Sequence, residues 1–233
     1  MPVGELGRRE PPDFRHVNAY PLTAATTPTK PVPVTIGVDW HTGFDQPVKR
    51  ADGRWWLPSI KKGEPLGPIR GGHCVCLRPD SMTDLTAWWA WYDQGAEGAC
   101  VGFGSSRMMS LLNRARYDAR WLYLEAQKVD YWPGEAYSGT SVSAGMDVLR
   151  TRGHKTKAWT EPRPAQGINA NRWARSLDDI RGCLQSPRHD QLEAVPVLNS
   201  WGAGFPHITY LPYSTLEELV VNRGGECTVV TDR

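Results

Sequence analysis

No apolar run in the sequence approaches the roughly 18 residues needed to cross a bilayer, which excludes a helical membrane span. Charge of one sign is not in excess either. Lys and Arg number 27 against 25 Asp and Glu, for a net charge of +2. No global field therefore draws the chain to nucleic acid or an anionic membrane. The first residues, MPVGELGRREPPDF, lack the apolar centre of a secretory signal, so the expectation is a protein retained in the cytoplasm. Five cysteines are an odd count, and in that compartment they read as reduced, mostly buried thiols. Internal repeats and low-complexity tracts are absent.

What is present is ordinary for a globular chain: 233 residues, 40% hydrophobic and 22% charged. That length buries about 70–75% of the unfolded surface, enough for a core without metal or disulfide staples. Eleven tryptophans stand out, clustered as Trp55-Trp56 and Trp88-Trp89-Trp91. They read as core bulk or groove lining, since no basic groove flanks them for stacking on single strands. Residues 1–35 hold seven prolines and little periodicity, an extended arm before a single domain at 36–233.

Short apolar runs predict strands at Val34–Val38, His73–Leu77, Val195–Leu198, His207–Leu211 and Glu226–Val230. Trp55–Arg70, rich in proline and glycine, reads as loop, as does the polar stretch His154–Arg172. Helical spacing predicts helices over Cys100–Asn113 and Asp118–Lys128, the latter stopping before Trp132-Pro133-Gly134. Another is capped by Thr140 or Ser141 and stops at Gly153; a short one is capped by Ser176. The expected class is α+β. A helical lobe spans about 92–153, and an antiparallel β lobe is built from 36–91 and 154–233.

Three segments carry chemistry. Asp93-Gln94-Gly95-Ala96-Glu97-Gly98-Ala99-Cys100-Val101 sets a cysteine at a helix start, where the dipole and free N–H groups favour thiolate, the nucleophilic form. Gly95 and Gly98 let the loop turn sharply and bring backbone close to a substrate, and Gln94 can join the Cys100 N–H in an oxyanion hole. In Leu198-Asn199-Ser200-Trp201-Gly202, Asn199 is a neutral group able to orient an imidazole, with Trp201 to keep water off the bond. In Gly71-Gly72-His73-Cys74-Val75 a histidine enters a strand after two glycines that permit close approach. Strand alternation points Cys74 and Cys76 away from His73, so these three do not form a zinc site. No metal or cofactor is expected. Asp93 and Glu97 read as loop-solvating carboxylates. His16, His41 and His154 read as solvated, and His207 as packed or facing water.

DQGAEGACVGF, GGHCV and LNSWG resemble the active-site blocks of papain-like cysteine proteases. YDARWLYLEAQ and SGTSVSAGMDVL resemble the helices that follow the nucleophile in that family, and within it the chain is similar to small intracellular enzymes encoded by phages of actinobacteria. The resemblance covers half to two-thirds of the chain. It implies a two-lobed papain-like fold, a Cys100 thiolate paired with a protonated His73, an orienting Asn199 and an oxyanion donor at Gln94. Substrate contacts would come from Trp201 and Gly98. The substrate would be a peptide or protein, held in the cytoplasm of the chain's own cell, or of a host if phage-encoded.

The order departs from that family, where histidine and asparagine both follow the cysteine. Here His73 precedes Cys100 by 27 residues and Asn199 follows it by 99. Either the histidine strand has moved upstream, leaving the triad intact in space, or His189, nearer the usual place, is the base. Gly-Gly-His before an apolar strand suits a fixed base better than the polar loop around His189. Two rival readings stay open: a papain-like binding module without turnover, and an amidase or isopeptidase acting on a non-standard amide.

Overall fold

The computed structural model of the chain describes residues 28–82, 92–131 and 138–232. Most of the proline-rich arm, Trp88, Trp89, Trp91 and Trp132-Pro133-Gly134 lie outside the described residues.

The fold is built on one eight-stranded, mostly antiparallel sheet. Its strands are Val34–His41 (β1), Val48–Lys49 (β2), Trp55–Trp56 (β3), Ile69–Leu77 (β4), Ala170–Trp173 (β5), Ala194–Leu198 (β6), Ile208–Pro212 (β7) and Glu226–Asp232 (β8), in spatial order β2-β3-β7-β6-β4-β1-β8-β5. At its centre β1 pairs with β4 from Val34↔Leu77 to Trp40↔Gly71, and β4 pairs with β6 through Cys76↔Leu198. Both faces of β4 are covered, which is why it reads as a continuous apolar run. Val75 and Leu77 join Ile36, Val38 and Trp40 in one apolar cluster, while Cys74 and Cys76 join Val101, Met108 and Leu149 in another. That division follows the period-two alternation expected of a strand.

Six helices accompany the sheet: Cys100–Asn113 (α1), Ala119–Ala126 (α2), Val142–Thr151 (α3), Leu177–Leu184 (α4), Pro187–Leu192 (α5) and Tyr213–Glu217 (α6). Three begin where a side chain accepts from an otherwise orphaned N–H. Asp118 accepts from Trp121 N, Ser141 from Ala144 N and Ser176 from Asp179 N. The central helix α1 is buried from Cys100 through Leu111. Two of its glycines make that possible. A Cβ on Gly102 would lie 2.4 Å from the Ala119 carbonyl oxygen, and one on Gly104 would lie 2.9 Å from the Cys74 sulfur.

Several expectations change. Trp55–Arg70 is not all loop: β3 pairs in parallel with β7 at Trp56↔Tyr210, and β4 already begins at Ile69. The polar stretch after His154 ends in the edge strand β5, recruited by β8 although its sequence, Ala-Asn-Arg-Trp, has no clean alternation. Helices α5 and α6 are too short for periodicity to reveal them. Strand β1 starts at Val34, inside the expected arm.

Two histidines expected in solvent are buried. His154 has no exposure, stacks on the Tyr117 ring at 4.4 Å and meets Ser106 Oγ at 2.8 Å. His41 packs on Phe44, with its Nδ1 2.7 Å from the Gly67 carbonyl. Their polar neighbours in sequence face outward while the ring folds under. His207 is half-buried, and His16 lies outside the described residues.

Because Gly102 touches the α2 backbone, Gly102→Ala should lower the urea midpoint, by an amount equivalent to about 1–3 kcal/mol of overpacking. An unchanged midpoint would show that α1 and α2 can separate freely.

Candidate active site

Helix α1 opens without a conventional cap. Ala99 occupies the cap position and makes no side-chain hydrogen bond, so the first N–H groups are left for another acceptor. Cys100 opens the helix, its thiol packed in the cluster of Cys74 and Cys76 and drawn down by the backbone of Cys74, Val101 and Cys100 itself. Cys74 directly follows His73, so the sulfur from the helix sits beside the strand that carries the imidazole. Cys100 retains 9% exposure.

His73 is 6% exposed and bonds to Asn199, with Nε2 2.8 Å from Oδ1. The same Oδ1 accepts the Ser200 N–H at 2.7 Å. An atom accepting a backbone N–H is the amide oxygen, so Nε2 of His73 must carry the hydrogen. In the neutral ring the lone pair is then on Nδ1, free to accept a proton. Asn199 Nδ2 is buried with no hydrogen-bond partner among the described residues. The imidazole is held between two indoles, Trp201 at 5.0 Å and Trp40 at 4.7 Å between ring centroids. Trp201 thus packs on the ring of His73 instead of standing clear as a substrate contact, and Phe205 backs it at 5.0 Å.

The loop before α1 is stitched to the segment after β6. Gln94 N donates to Ser200 O at 2.9 Å, Gly202 N to Tyr92 O at 3.0 Å, and Ser200 Oγ to Gln94 Oε1 at 2.7 Å. Gln94 Nε2 donates one hydrogen to the Glu97 carbonyl at 3.0 Å. Of the residues named from sequence, His73, Asn199 and Gln94 are joined through Ser200 by hydrogen bonds. Among the described residues no hydrogen bond joins the Cys100 sulfur to an imidazole nitrogen, a contact that in unliganded enzymes is often long and tightens with substrate.

The glycines have other tasks than expected. A Cβ at Gly71 or Gly72 would meet nothing within 4 Å, so neither serves a close approach; Gly71 instead takes φ +157°, which L side chains rarely adopt. Gly95, at φ +59°, does make the turn. Gly98 is pressed on the chain at 138–139, where a Cβ would lie 2.6 Å from Ser138 Oγ. Asp93 accepts the Gly95 N–H at 2.9 Å and Glu97 pairs with Arg120.

Burial dominates the electrostatics. It pushes the Cys100 thiol up, against the opposing pull of the amides of Cys74, Val101 and Cys100. It also holds His73 down at about 4, with the Asn199 bond raising it, Arg70 lowering it and Asp45 raising it. Both directions favour a neutral thiol beside a neutral imidazole at rest. Removal from water costs both charged forms, whereas the family resemblance implies a resting thiolate–imidazolium pair.

His189 is directed elsewhere. It is 1% exposed, 3.6 Å from Asp80, and the charges acting on it are Asp80, Arg78, Asp190 and Arg188. Sequence reading missed Trp40, Asp45 and Arg70 around His73. Ser200, inside the quoted Asn-Ser-Trp-Gly block, was visible but given no task.

No family model matches the chain, and no curated protein does. Among solved structures it is similar to xylellain, a cysteine protease from Xylella fastidiosa, with a TM-score of 0.48 and 14% identity. The alignment covers 67% of this chain and 90% of that one. A score below 0.5 does not establish a shared fold.

Four imidazoles are held well below their ordinary 6.5 by burial: His73, His189 and His207 at about 4, and His154 at about 3. Each takes up a proton more readily unfolded than folded. Their contribution to stability is therefore complete above pH 6.5 and lost as pH falls toward 4 and below. The urea midpoint should fall steadily between pH 6.5 and pH 4; a flat profile there would mean these rings are hydrated.

Proposed function

We propose that the chain is a cysteine peptidase of papain-like type, with Cys100 as nucleophile, His73 as base and Asn199 as its orienting group. The observation that carries this reading is the doubly bonded Asn199 oxygen. It puts the hydrogen on Nε2 of His73 and the lone pair on Nδ1, and the backbone of the next residue, Cys74, works against burial to lower the Cys100 thiol.

With both partners neutral at rest, the thiol proton passes to His73 Nδ1 as the sulfur attacks the substrate carbonyl. Sulfur–carbon bond formation and proton transfer then proceed together, and the amides around the sulfur stabilise the charge that develops. The oxyanion is held by the Cys100 N–H and the second hydrogen of Gln94 Nε2. His73, now imidazolium and steadied by Asn199, returns its proton to the leaving amine. It next takes a proton from water, which attacks the thioester and frees Cys100. The order His73, Cys100, Asn199 is a permutation of the family's order, and peptide or protein is the substrate class. A phage origin and a cytoplasmic site of action go with the same reading.

Cys100→Ala should abolish hydrolysis of denatured casein, and Gln94→Ala should reduce kcat/KM on the order of 10²–10³-fold. A peptidyl epoxide should label Cys100 and no other cysteine, read by mass spectrometry. Labelling without casein turnover would favour the amidase or isopeptidase reading, and absence of labelling would favour a silent binding module.

A further inference from the structure

The surroundings of His73 contain an ion pair that the peptidase reading does not use. Asp45 ends a short 3-10 turn, Thr42–Asp45, directly after β1. Its Oδ1 accepts the Trp40 indole N–H at 3.0 Å, and its Oδ2 accepts from Arg70 NH1 at 2.7 Å. The Arg70 guanidinium lies 5.6 Å above the Trp201 ring. Trp40 and Trp201 are the two indoles that contact His73, and they also touch each other, 5.3 Å between centroids. The ion pair therefore closes a ring of contacts around the imidazole: Trp40, Asp45, Arg70, Trp201.

Arg70 reaches this ring through a defect in the sheet. Register along β1 and β4 runs Trp40↔Gly71 and then His41↔Ile69, so Arg70 is an extra residue in β4. In an unbroken strand an even-numbered residue would share the face of Cys74 and Cys76. A bulge re-aims one side chain, and here it puts Arg70 on the face of His73. Gly71, next to it, supplies the backbone conformation the defect needs.

We propose that Asp45 and Arg70 are a positioning pair for His73, fixing the imidazole between Trp40 and Trp201 and tuning its affinity for a proton. The proposal rests on the reading of Cys100 and His73 as a nucleophile–base pair. The groups acting on the imidazole are Asn199 from the segment after β6, Arg70 from β4 and Asp45 from the turn after β1. Asp45 favours the protonated ring and Arg70 disfavours it. Side-chain exposure of 58% for Arg70 and 26% for Asp45 leaves both charges partly screened by water.

The test is the pH dependence of Cys100 alkylation by iodoacetamide, followed by mass spectrometry on the full chain, which requires no knowledge of the substrate. Asp45→Asn should move the acid-side midpoint of the rate to lower pH, and Arg70→Gln should move it to higher pH. Asp45→Glu and Arg70→Lys, which keep the charges, should restore it. A merely structural role would change the rate without moving the midpoint, or move it in the same direction in both variants, and either result overturns the proposal. Thermal melts establish that each variant is folded, and the charge-keeping variants supply the comparison should Asn or Gln unfold the turn. His73→Ala separates the two levels. If it changes the profile while the Asp45 and Arg70 variants do not, only the positioning pair fails. If it changes nothing, the base assignment fails and the pair with it.

Discussion

The amide oxygen of Asn199 is the atom on which the site depends. It accepts from the Ser200 backbone and faces His73 Nε2, and with both positions filled the amide cannot flip without losing a bond. The imidazole inherits that certainty as a fixed tautomer, with its basic nitrogen turned from Asn199. The sheet brings the two residues together. Strands β4 and β6 pair at Cys76↔Leu198 and Leu77↔Val197, and continuing that register by three residues sets His73 opposite Trp201. A slip of one residue would exchange His73 for Cys74 on that face. The two-sided apolar core around β4 therefore enforces the site as well as the fold.

Burial then sets how the pair behaves. A thiolate and an imidazolium formed in this groove must both leave water, and that cost raises the sulfur and lowers the ring. The uncapped start of α1 partly offsets it by aiming N–H groups at the sulfur. In the proposed mechanism the pair stores its proton on sulfur and moves it during attack. Under that proposal charge is created only where donors already wait: amides at the sulfur, Asn199 at the ring, Gln94 and the Cys100 N–H at the carbonyl. Such preorganisation is worth more in a site from which water is largely excluded.

Much of the fold was legible because it is written locally. Ser141 and Ser176 cap the helices they announce, α1 spans the predicted residues, and the apolar runs form strands. The three quoted blocks do meet through hydrogen bonds. What was not legible depends on distant partners. The edge strand β5 exists because β8 offers it a ladder. His154 is buried because Tyr117 and Trp121 cover it, although its own neighbours are polar. Trp40, Asp45 and Arg70 come from two strands and a turn, and only a shift of register unites them. A bulge leaves no mark in composition, and Gly71 was read as giving space to a neighbour when its use is backbone conformation.

On the proposed assignment, the unusual order of the active-site residues costs the structure little. Between β4 and β6 the chain builds α1 to α3, adds β5 at the far edge of the sheet, builds α4 and α5 and returns. Closing a longer loop grows only logarithmically unfavourable, about 0.6 kcal/mol for each doubling. Against that, the excursion re-enters the sheet beside its point of departure and is tied there by Gln94 to Ser200 and by Tyr92 to Gly202. Those bonds join the loop before α1 to the segment after β6. A hydrolytic site needs a helix start, a strand start and an amide in fixed relation, and an antiparallel sheet supplies that relation from whichever direction the chain enters it. Register, not chain order, is what the chemistry constrains.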